Sequence, residues 1–521
     1  MDAAHFIEEV KAVIPLSTIT VILGGVLLSV FFALTAKKFA PRPKLSRLPP
    51  PPGIPGLPIL GNLLQLKEKK PHKTFAKWAE TYGPVYTVKL GAGSMVVLNS
   101  TDVAKEAMIT RHSSISTRKL SAALTILTSN KCMVATSDYN DFHKMVKRHI
   151  ITSLLGSNAQ QRQHRCQRDL MMDNLCKRFH VDAKARPLEA ANYRAIFDSE
   201  LFALAIRQAV GNDVDSLYVE ELGTTISNEE MYKILVTDLM EAAIEVDWRD
   251  FFPYLRWIPN KSIEENMKRI VSRRNAVIRE MISHQRKRLS DGKELNCFLD
   301  YLLLNAQDLT EDEVVNLIWE PIIEISDTTA VTTEWAMYEL AKNPSCQDRL
   351  FKDIECLCGD KKVSEDDLCQ LPYLSAVFHE SLRRYSPVPV IPPRYVHEDT
   401  EIGGYHISAG TEIAINLDAC NMDKKKWEKP EEWNPERFLE GKFDSGDHYT
   451  TMAFGAGKRV CAGSLQAILI STCAIGRLVQ EFEWRLVDTE EADSDIAVLT
   501  NRKLHPLQVI AIPRVGLRHD V

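Results

Sequence analysis

Cys461 stands in Phe454-Gly-Ala-Gly-Lys-Arg-Val-Cys461-Ala-Gly463, a loop whose composition suits a thiolate bound to iron. Gly455, Gly457 and Gly463 permit tight turns and leave N–H groups free to point at the sulfur, which tunes a bound metal. Arg459, two residues before the cysteine, adds a fixed charge able to pair with a haem propionate, and bound iron would keep the thiol deprotonated. A thiolate on haem iron pushes electron density onto the metal and favours O–O cleavage. A phosphate-cradling loop is excluded, because Gly457-Lys458 is followed by Arg459 rather than Ser or Thr. The second constellation is Glu324-Ile-Ser-Asp-Thr-Thr329. Breaking an O–O bond requires two protons, and Asp327 with Thr328 forms an acid–alcohol pair that can relay them. Glu324, one turn before Thr328 on the same helix face, is expected to approach the pocket, where desolvation would raise its pKa and let it serve as an acid. Thr328 can also bond back to the Glu324 carbonyl. Pro321 removes a hydrogen bond to the Leu317 carbonyl, which predicts a kink.

These groups need a scaffold to place them. Helical periodicity spans about 140 to 390 and includes a long run from about Val314 to Leu340; β-rich runs fall at Val85–Lys89, Met95–Leu98 and around Ile402–Ile415. The chain has 521 residues, 45% of them apolar, enough to bury a large core. A net charge of −6 offers no whole-chain nucleic-acid signal. Eleven cysteines without repeated spacing indicate a reducing compartment, and Cys356-Leu-Cys358 lacks the second pair a metal knuckle needs. Val13–Ala36 is free of charge, enough for roughly 36 Å of helix against a hydrocarbon core of about 30 Å. Acidic residues precede it and Lys37, Lys38, Arg42, Lys44 and Arg47 follow, so it reads as an uncleaved single-pass anchor with the remainder in the cytosol. The sequon Asn99-Ser-Thr101 should then stay unmodified. The reading divides the chain into an anchor segment 1–36, a stiff proline-rich linker 37–62 and one catalytic domain 63–521.

The pattern Phe-x-x-Gly-x-Arg-x-Cys-x-Gly is the haem-binding signature of the cytochrome P-450 superfamily, and Phe454–Gly463 resembles it at every fixed position. The resemblance implies haem b on the Cys461 thiolate, with Phe454, Gly455, Arg459 and Gly463 around it. It also implies a mainly α fold with small β-sheets, and NADPH used through a separate reductase. The superfamily's oxygen-activating helix ends in Asp/Glu-Thr-Thr/Ser, matched by Asp327-Thr328-Thr329, whereas Glu324 and Ile325 stand where small residues are usual. Glu380-Ser-Leu-Arg383, Ser386–Arg394 and Pro435-Glu-Arg-Phe438 follow in the superfamily's order, so Glu380, Arg383 and Arg437 inherit a buried charged triad and Arg394 a propionate contact. His143 and Lys147 occupy the positions of a common Trp and Arg pair, with less bidentate geometry than arginine provides.

Gly61–Pro71, Asp247–Ser262, Thr332–Trp335 and Thr451–Phe454 resemble the plant ent-kaurene oxidases over nearly everything after the anchor. That family oxidises one methyl of a tetracyclic diterpene in three steps to ent-kaurenoic acid, a gibberellin precursor. The implied substrate pocket takes in Leu124, Ile126, Leu127, Ile325, Val388, Val390, Ile391 and Leu499. The chain departs from the family at Pro321, Ile325, Ser326 and Ala330, and at Asp418-Ala419, where the family carries Tyr-Gly; relatives that hydroxylate other ent-kaurane-type diterpenoids keep that alternative open. A haem-thiolate isomerase or a haem sensor would have no use for the retained Asp327-Thr328 pair. No flavin- or nicotinamide-binding glycine fingerprint follows a strand, so a reductase partner is implied, met by Lys131, Lys144, Lys147, Arg148 and Lys458. The anchor would lie in the endoplasmic reticulum or the outer plastid envelope.

Overall fold

The computed structural model describes residues 48–66, 70–292, 296–439, 450–487, 490, 494–495 and 500–514. The anchor 13–36 and Leu499 lie outside the described residues, and among those described no helix is long and apolar enough to cross a membrane. The chain from Pro50 onward forms one compact unit.

Helices dominate. Those needed below are α1 (Pro71–Tyr82), α2 (Ala122–Leu127), α3 (Asp141–Ile150), α4 (Arg165–Ala185), α5 (Tyr193–Val210), α6 (Lys261–Ser290), α7 (Glu311–Lys342), α8 (Pro372–Arg384) and α9 (Ser464–Glu481). A five-stranded sheet takes the order β1-β2-β5-β4-β3, where β1 is Val85–Leu90, β2 Gly93–Leu98, β3 Thr117–Arg118, β4 Val390–Tyr395 and β5 Glu412–Asn416. Only the β2–β5 pairing within it is parallel. The N-terminal stretch is bound to this sheet: Ile54 N–H donates to the Thr87 carbonyl at 3.0 Å, and Thr87 N–H to that of Pro52 at 2.8 Å.

Helix α7 is the axis of the molecule. Thr310 and Glu313 close a reciprocal capping box at its start, and acidic Glu311, Asp312 and Glu313 face its positive end. It is buried nearly all round, against α5, α6, α8 and α9, as an apolar circumference requires. It continues through Pro321 without interruption. Downstream, Ser326, Thr328, Thr332 and Thr333 each return their hydroxyl to the carbonyl four residues earlier, at 2.7–3.1 Å, so a hydroxyl-rich stretch satisfies itself along the helix. Trp335 stacks flat on Tyr385 with centroids 4.0 Å apart, fixing α7 to the end of α8. All eleven cysteines are free thiols. Asn99 of the sequon is 6% exposed and accepts from Asn416 Nδ2 at 3.0 Å, so its burial would prevent modification on either side of a membrane.

Candidate active site

The cysteine loop owes its shape to a few backbone contacts. Gly455 and Gly457 take φ of +71° and +69°, and a Cβ on Gly457 would sit 2.3 Å from the Met108 carbonyl oxygen. The Cys461 N–H donates to the Phe454 carbonyl at 2.9 Å, and the Gly463 N–H reaches the cysteine sulfur. Cys461 alone among the eleven cysteines lines a cavity of about 300 Å³ between this loop, α3, α7, α8 and β4. Burial, then the neighbouring Glu324, push its thiol up to about 11 despite Gly463 N–H and Lys147. A thiolate there therefore needs a cation on the sulfur.

One wall of the cavity is cationic. Arg118, His143, Lys147, Arg394 and Arg459 all line it, brought there by β3, α3, β4 and the cysteine loop. Arg118 and Arg394 face each other in register across β3 and β4. Arg459 donates from Nε to the Ser116 carbonyl at 2.8 Å and also to that of Ser137; Lys147 holds the carbonyls of Lys458 and Val460 at 3.1 and 3.3 Å. Burial and mutual repulsion depress Arg118 well below the usual range, and burial with Arg459 lowers Arg394 to about 10. His143 is lowered to about 4, mainly by burial and then by Arg459, Lys147 and Arg118. The buried Nε of Arg394 and Nε2 of His143 have no hydrogen-bond partner. Asp138, whose charge acts on Arg459, is engaged by Lys131 at 2.8 Å. Crowded guanidiniums and orphaned donors above a sulfur ligand fit a planar iron cofactor bearing two carboxylates.

The opposite wall comes from α7: Glu320, Pro321, Glu324, Ile325, Thr328, Thr329 and Thr332. Cys461 and Glu324 retain accessible surface, yet that surface is cavity wall and the groups are otherwise enclosed by protein. The Thr328 hydroxyl donates to the Glu324 carbonyl at 3.1 Å. Glu324 is held well above the carboxylate range by burial and then by Glu320. Asp327 does not join them. It turns away from the cavity and pairs with Arg502 at 2.6 Å, which also stands 3.6 Å from Asp198. The cavity face of α7 recurs as Glu320-Pro321, Glu324-Ile325 and Thr328-Thr329, and Asp327, about 100° back from Thr328, falls off that face, so the carboxyls that α7 presents to the cavity are Glu320 and Glu324.

Of the expected pocket residues, Ile325, Val388 and Ile391 line the cavity, and Leu124, Ile126, Leu127 and Val390 do not. Leu127 belongs to the main core, with Ile126 packed against it. Strand alternation sends Val390 to the far face of β4, against the cluster of Phe75, Tyr86 and Val97. Pro321 and Ile325 are the family departures that reach the cavity; Ser326, Ala330 and Asp418 do not, and Asp418 instead pairs with Lys73 of α1 at 2.8 Å. Glu380 and Arg383 form a bidentate pair at 2.7 Å with both side chains 0% exposed, and Arg437 Nε lies 3.4 Å from Glu380. Two charged cavity residues escaped the sequence reading. Arg118 is identified by its pairing with Arg394, which no local pattern announces. Glu320 could have been found, since it precedes Glu324 by one helical turn.

A family model for cytochrome P450 matches residues 50–509. The chain belongs to the cytochrome P450 family. It is 58% identical over 99% of its length to an ent-kaurene oxidase of Salvia miltiorrhiza, covering 99% of that protein. It is 56% identical over 93% of its length to ent-kaurene oxidase 2 of Oryza sativa subsp. japonica, covering 95% of it. It is also similar to an ent-sandaracopimaradiene 3-hydroxylase of the same rice, at 52% identity over 89% of this chain and 91% of that one. This P450 is a haem-thiolate monooxygenase, with a cysteine thiolate on haem iron and reduction through a redox partner. Among the basic residues expected to meet that partner, Lys131 and Lys147 are committed inward. Lys144, Arg148 and Lys458 are exposed, with Lys144 and Lys458 both over the Tyr139 ring.

Proposed function

We propose that this P450 oxidises ent-kaurene to ent-kaurenoic acid by three successive oxidations of one methyl, at the step leading toward gibberellins. The observation that carries the reading is the cavity between Cys461 and α7. Apolar Ile150, Leu155, Ile325, Val388, Ile391 and Leu417 line much of it, and α7 adds Thr328 and Glu324 as polar groups facing the same space. A rigid hydrocarbon in such a space is held by shape and presents the same carbon repeatedly. The 56–58% identity to ent-kaurene oxidases supports that substrate.

Bound haem iron supplies the oxygen activation that an unactivated C–H bond requires. The chain's own residues do the rest. Cys461 would supply the sulfur ligand, and Arg118, Arg394, Arg459, Lys147 and His143 would hold the propionates of the group. Thr328 and Glu324 would hold and pass protons at the Thr328 hydroxyl and the Glu324 carboxyl, which face the cavity where Asp327 does not. Each oxidation consumes one dioxygen and two electrons from NADPH, delivered by a separate reductase, and returns one oxygen atom as water.

In this reading residues 1–36 anchor the protein in the endoplasmic reticulum or outer plastid envelope, 37–62 connect, and 63–521 catalyse on the cytosolic side. Exposed Leu57, Ile59, Tyr254 and Trp257 support a body that rests on lipid, and the turn at Gly91–Ala92 bridges the two stretches, Gly91 N–H donating to the Leu60 carbonyl at 3.2 Å and Ala92 N–H to that of Phe251 at 2.9 Å. A second reading, hydroxylation of another diterpene at a different carbon, is favoured by the similarity to the ent-sandaracopimaradiene 3-hydroxylase. Mass spectrometry of products formed from ent-kaurene beside a plant-type reductase decides between them. Accumulation of ent-kaurenoic acid, abolished by Cys461→Ala, establishes the three-step oxidase. A single hydroxylation elsewhere, or no turnover by protein with intact haem-thiolate absorbance, overturns it.

A further inference from the structure

Glu320 and Glu324 are two enclosed carboxyls one turn apart on the cavity face of α7, and their surroundings differ in one decisive respect. Glu320 is 1% exposed and fully engaged: Oε2 accepts the Val134 N–H at 2.8 Å and Oε1 the Ala135 N–H at 2.7 Å. The Ala135 carbonyl in turn accepts from Arg118 Nε at 3.2 Å, so this peptide is clamped between the two walls. The Glu324 carboxyl has no such donors and opens into the cavity. Burial pushes Glu320 up to about 7 against the pull of its two N–H donors, whereas Glu324, enclosed, without such donors and beside Glu320, is held well above the carboxylate range, so of the two it is Glu324 that keeps the proton. The other charged or titratable groups on the cavity are Arg118 of β3, His143 and Lys147 of α3, Arg394 of β4, and Arg459 and Cys461 of the cysteine loop. Arg118, Lys147 and Arg459 spend donors on backbone carbonyls.

We propose that the pair carries one negative charge on Glu320 and one proton on Glu324, and that the Glu324 O–H holds the newly placed oxygen of the partly oxidised substrate. This rests on the diterpene reading above. It would explain how an apolar cavity keeps a product more polar than its substrate through the next oxidation. A neutral acid costs a hydrocarbon little when no oxygen is present, and becomes a hydrogen-bond donor to the alcohol and then the aldehyde once one is. Glu320 is a positioning residue: its charge adds to the burial that by itself suffices to keep the proton on Glu324, and it ties the 134–135 peptide to α7.

Two measurements test this. In the first, ent-kaurene and its alcohol, and ent-sandaracopimaradiene and its 3-alcohol, are titrated into haem-loaded wild type, Glu324→Leu and Glu324→Gln, following the substrate-induced absorbance change. In Glu324→Leu the affinity for alcohol relative to hydrocarbon should fall about five- to tenfold, the worth of one neutral hydrogen bond. Glu324→Gln, whose amide N–H still donates, should restore most of it. An unaltered ratio in Glu324→Leu, or equal loss in both variants, overturns the proposal. A wild type that binds neither hydrocarbon overturns the diterpene reading instead. In the second, the infrared carbonyl band of a protonated buried carboxyl at neutral pH should vanish in Glu324→Gln and persist in Glu320→Gln. The reverse pattern would place the proton on Glu320 and defeat the assignment whatever the substrate.

Discussion

Asp327 and Arg118 show, from opposite sides, what a local reading of residues leaves out. Asp327 belongs to an acid–alcohol motif, yet it is spent on Arg502 at 2.6 Å with its side chain 4% exposed. Removing one partner of a buried ion pair leaves the other uncompensated, at a cost of about 3 kcal/mol. Asp327→Asn should therefore lower the unfolding free energy by about that amount in denaturant titration, and an unchanged midpoint would restore a purely catalytic role. Arg118 belongs to no motif, yet it completes the cationic wall. In Arg118→Ala the apparent haem affinity should fall about tenfold, the loss of one charge-assisted hydrogen bond, read as haem-thiolate absorbance per unit of protein during dilution. Full retention would remove Arg118 from the propionate contacts.

The elements that frame the site carry their own tests. The cysteine loop passes so close to Met108 that Gly457 has no room for a side chain, and its φ of +69° disfavours one independently. Gly457→Ala should cost at least about 2 kcal/mol and reduce haem retention with it; a variant of ordinary stability would mean that the loop relaxes freely. At the end of α9, burial alone would raise Glu481, but the His180 hydrogen bond and the Arg477 pair, at 2.9 and 2.8 Å, outweigh it and hold the carboxyl at about 2. A folded pKa below the unfolded value of about 4.5 contributes stability that is complete above that value and is lost as pH falls toward 2. That contribution is about 3 kcal/mol, tying α9 to α4. Glu481→Gln should flatten the acid limb of the stability profile between pH 5 and about 2, with little change in its slope above pH 6.

For the whole molecule, charge placement matters more than net charge. The chain is close to balanced at −6, but Lys144, Arg148 and Lys458 gather on the exposed side of α3 and the cysteine loop, the surface on which a reductase contact is expected. Lys144→Glu with Arg148→Glu should slow reductase-supported turnover severalfold at low ionic strength and weaken its salt dependence. The haem-thiolate absorbance should be unaffected. Equal salt dependence in the variant would place the reductase elsewhere.

Much of this protein was legible in its amino-acid order because the relevant chemistry is local. A cysteine flanked by glycines and an arginine, a Glu-x-x-Arg pair and a hydroxyl run on an apolar helix act within a turn or two, so spacing alone exposes them. The helix was visible from Val314 to Leu340 and is observed from Glu311 to Lys342. What the order could not determine is orientation and long-range pairing. Helical rotation sends Asp327 away from the cavity and Glu324 into it, and strand alternation divides Ile391 from Val390. Arg118 meets Arg394 only because a two-residue strand, 276 positions earlier, pairs at the edge of β4. The contrast between Glu320 and Glu324 is likewise tertiary: the residues are identical, and only the fold supplies one of them with two backbone N–H donors and leaves the other facing the cavity.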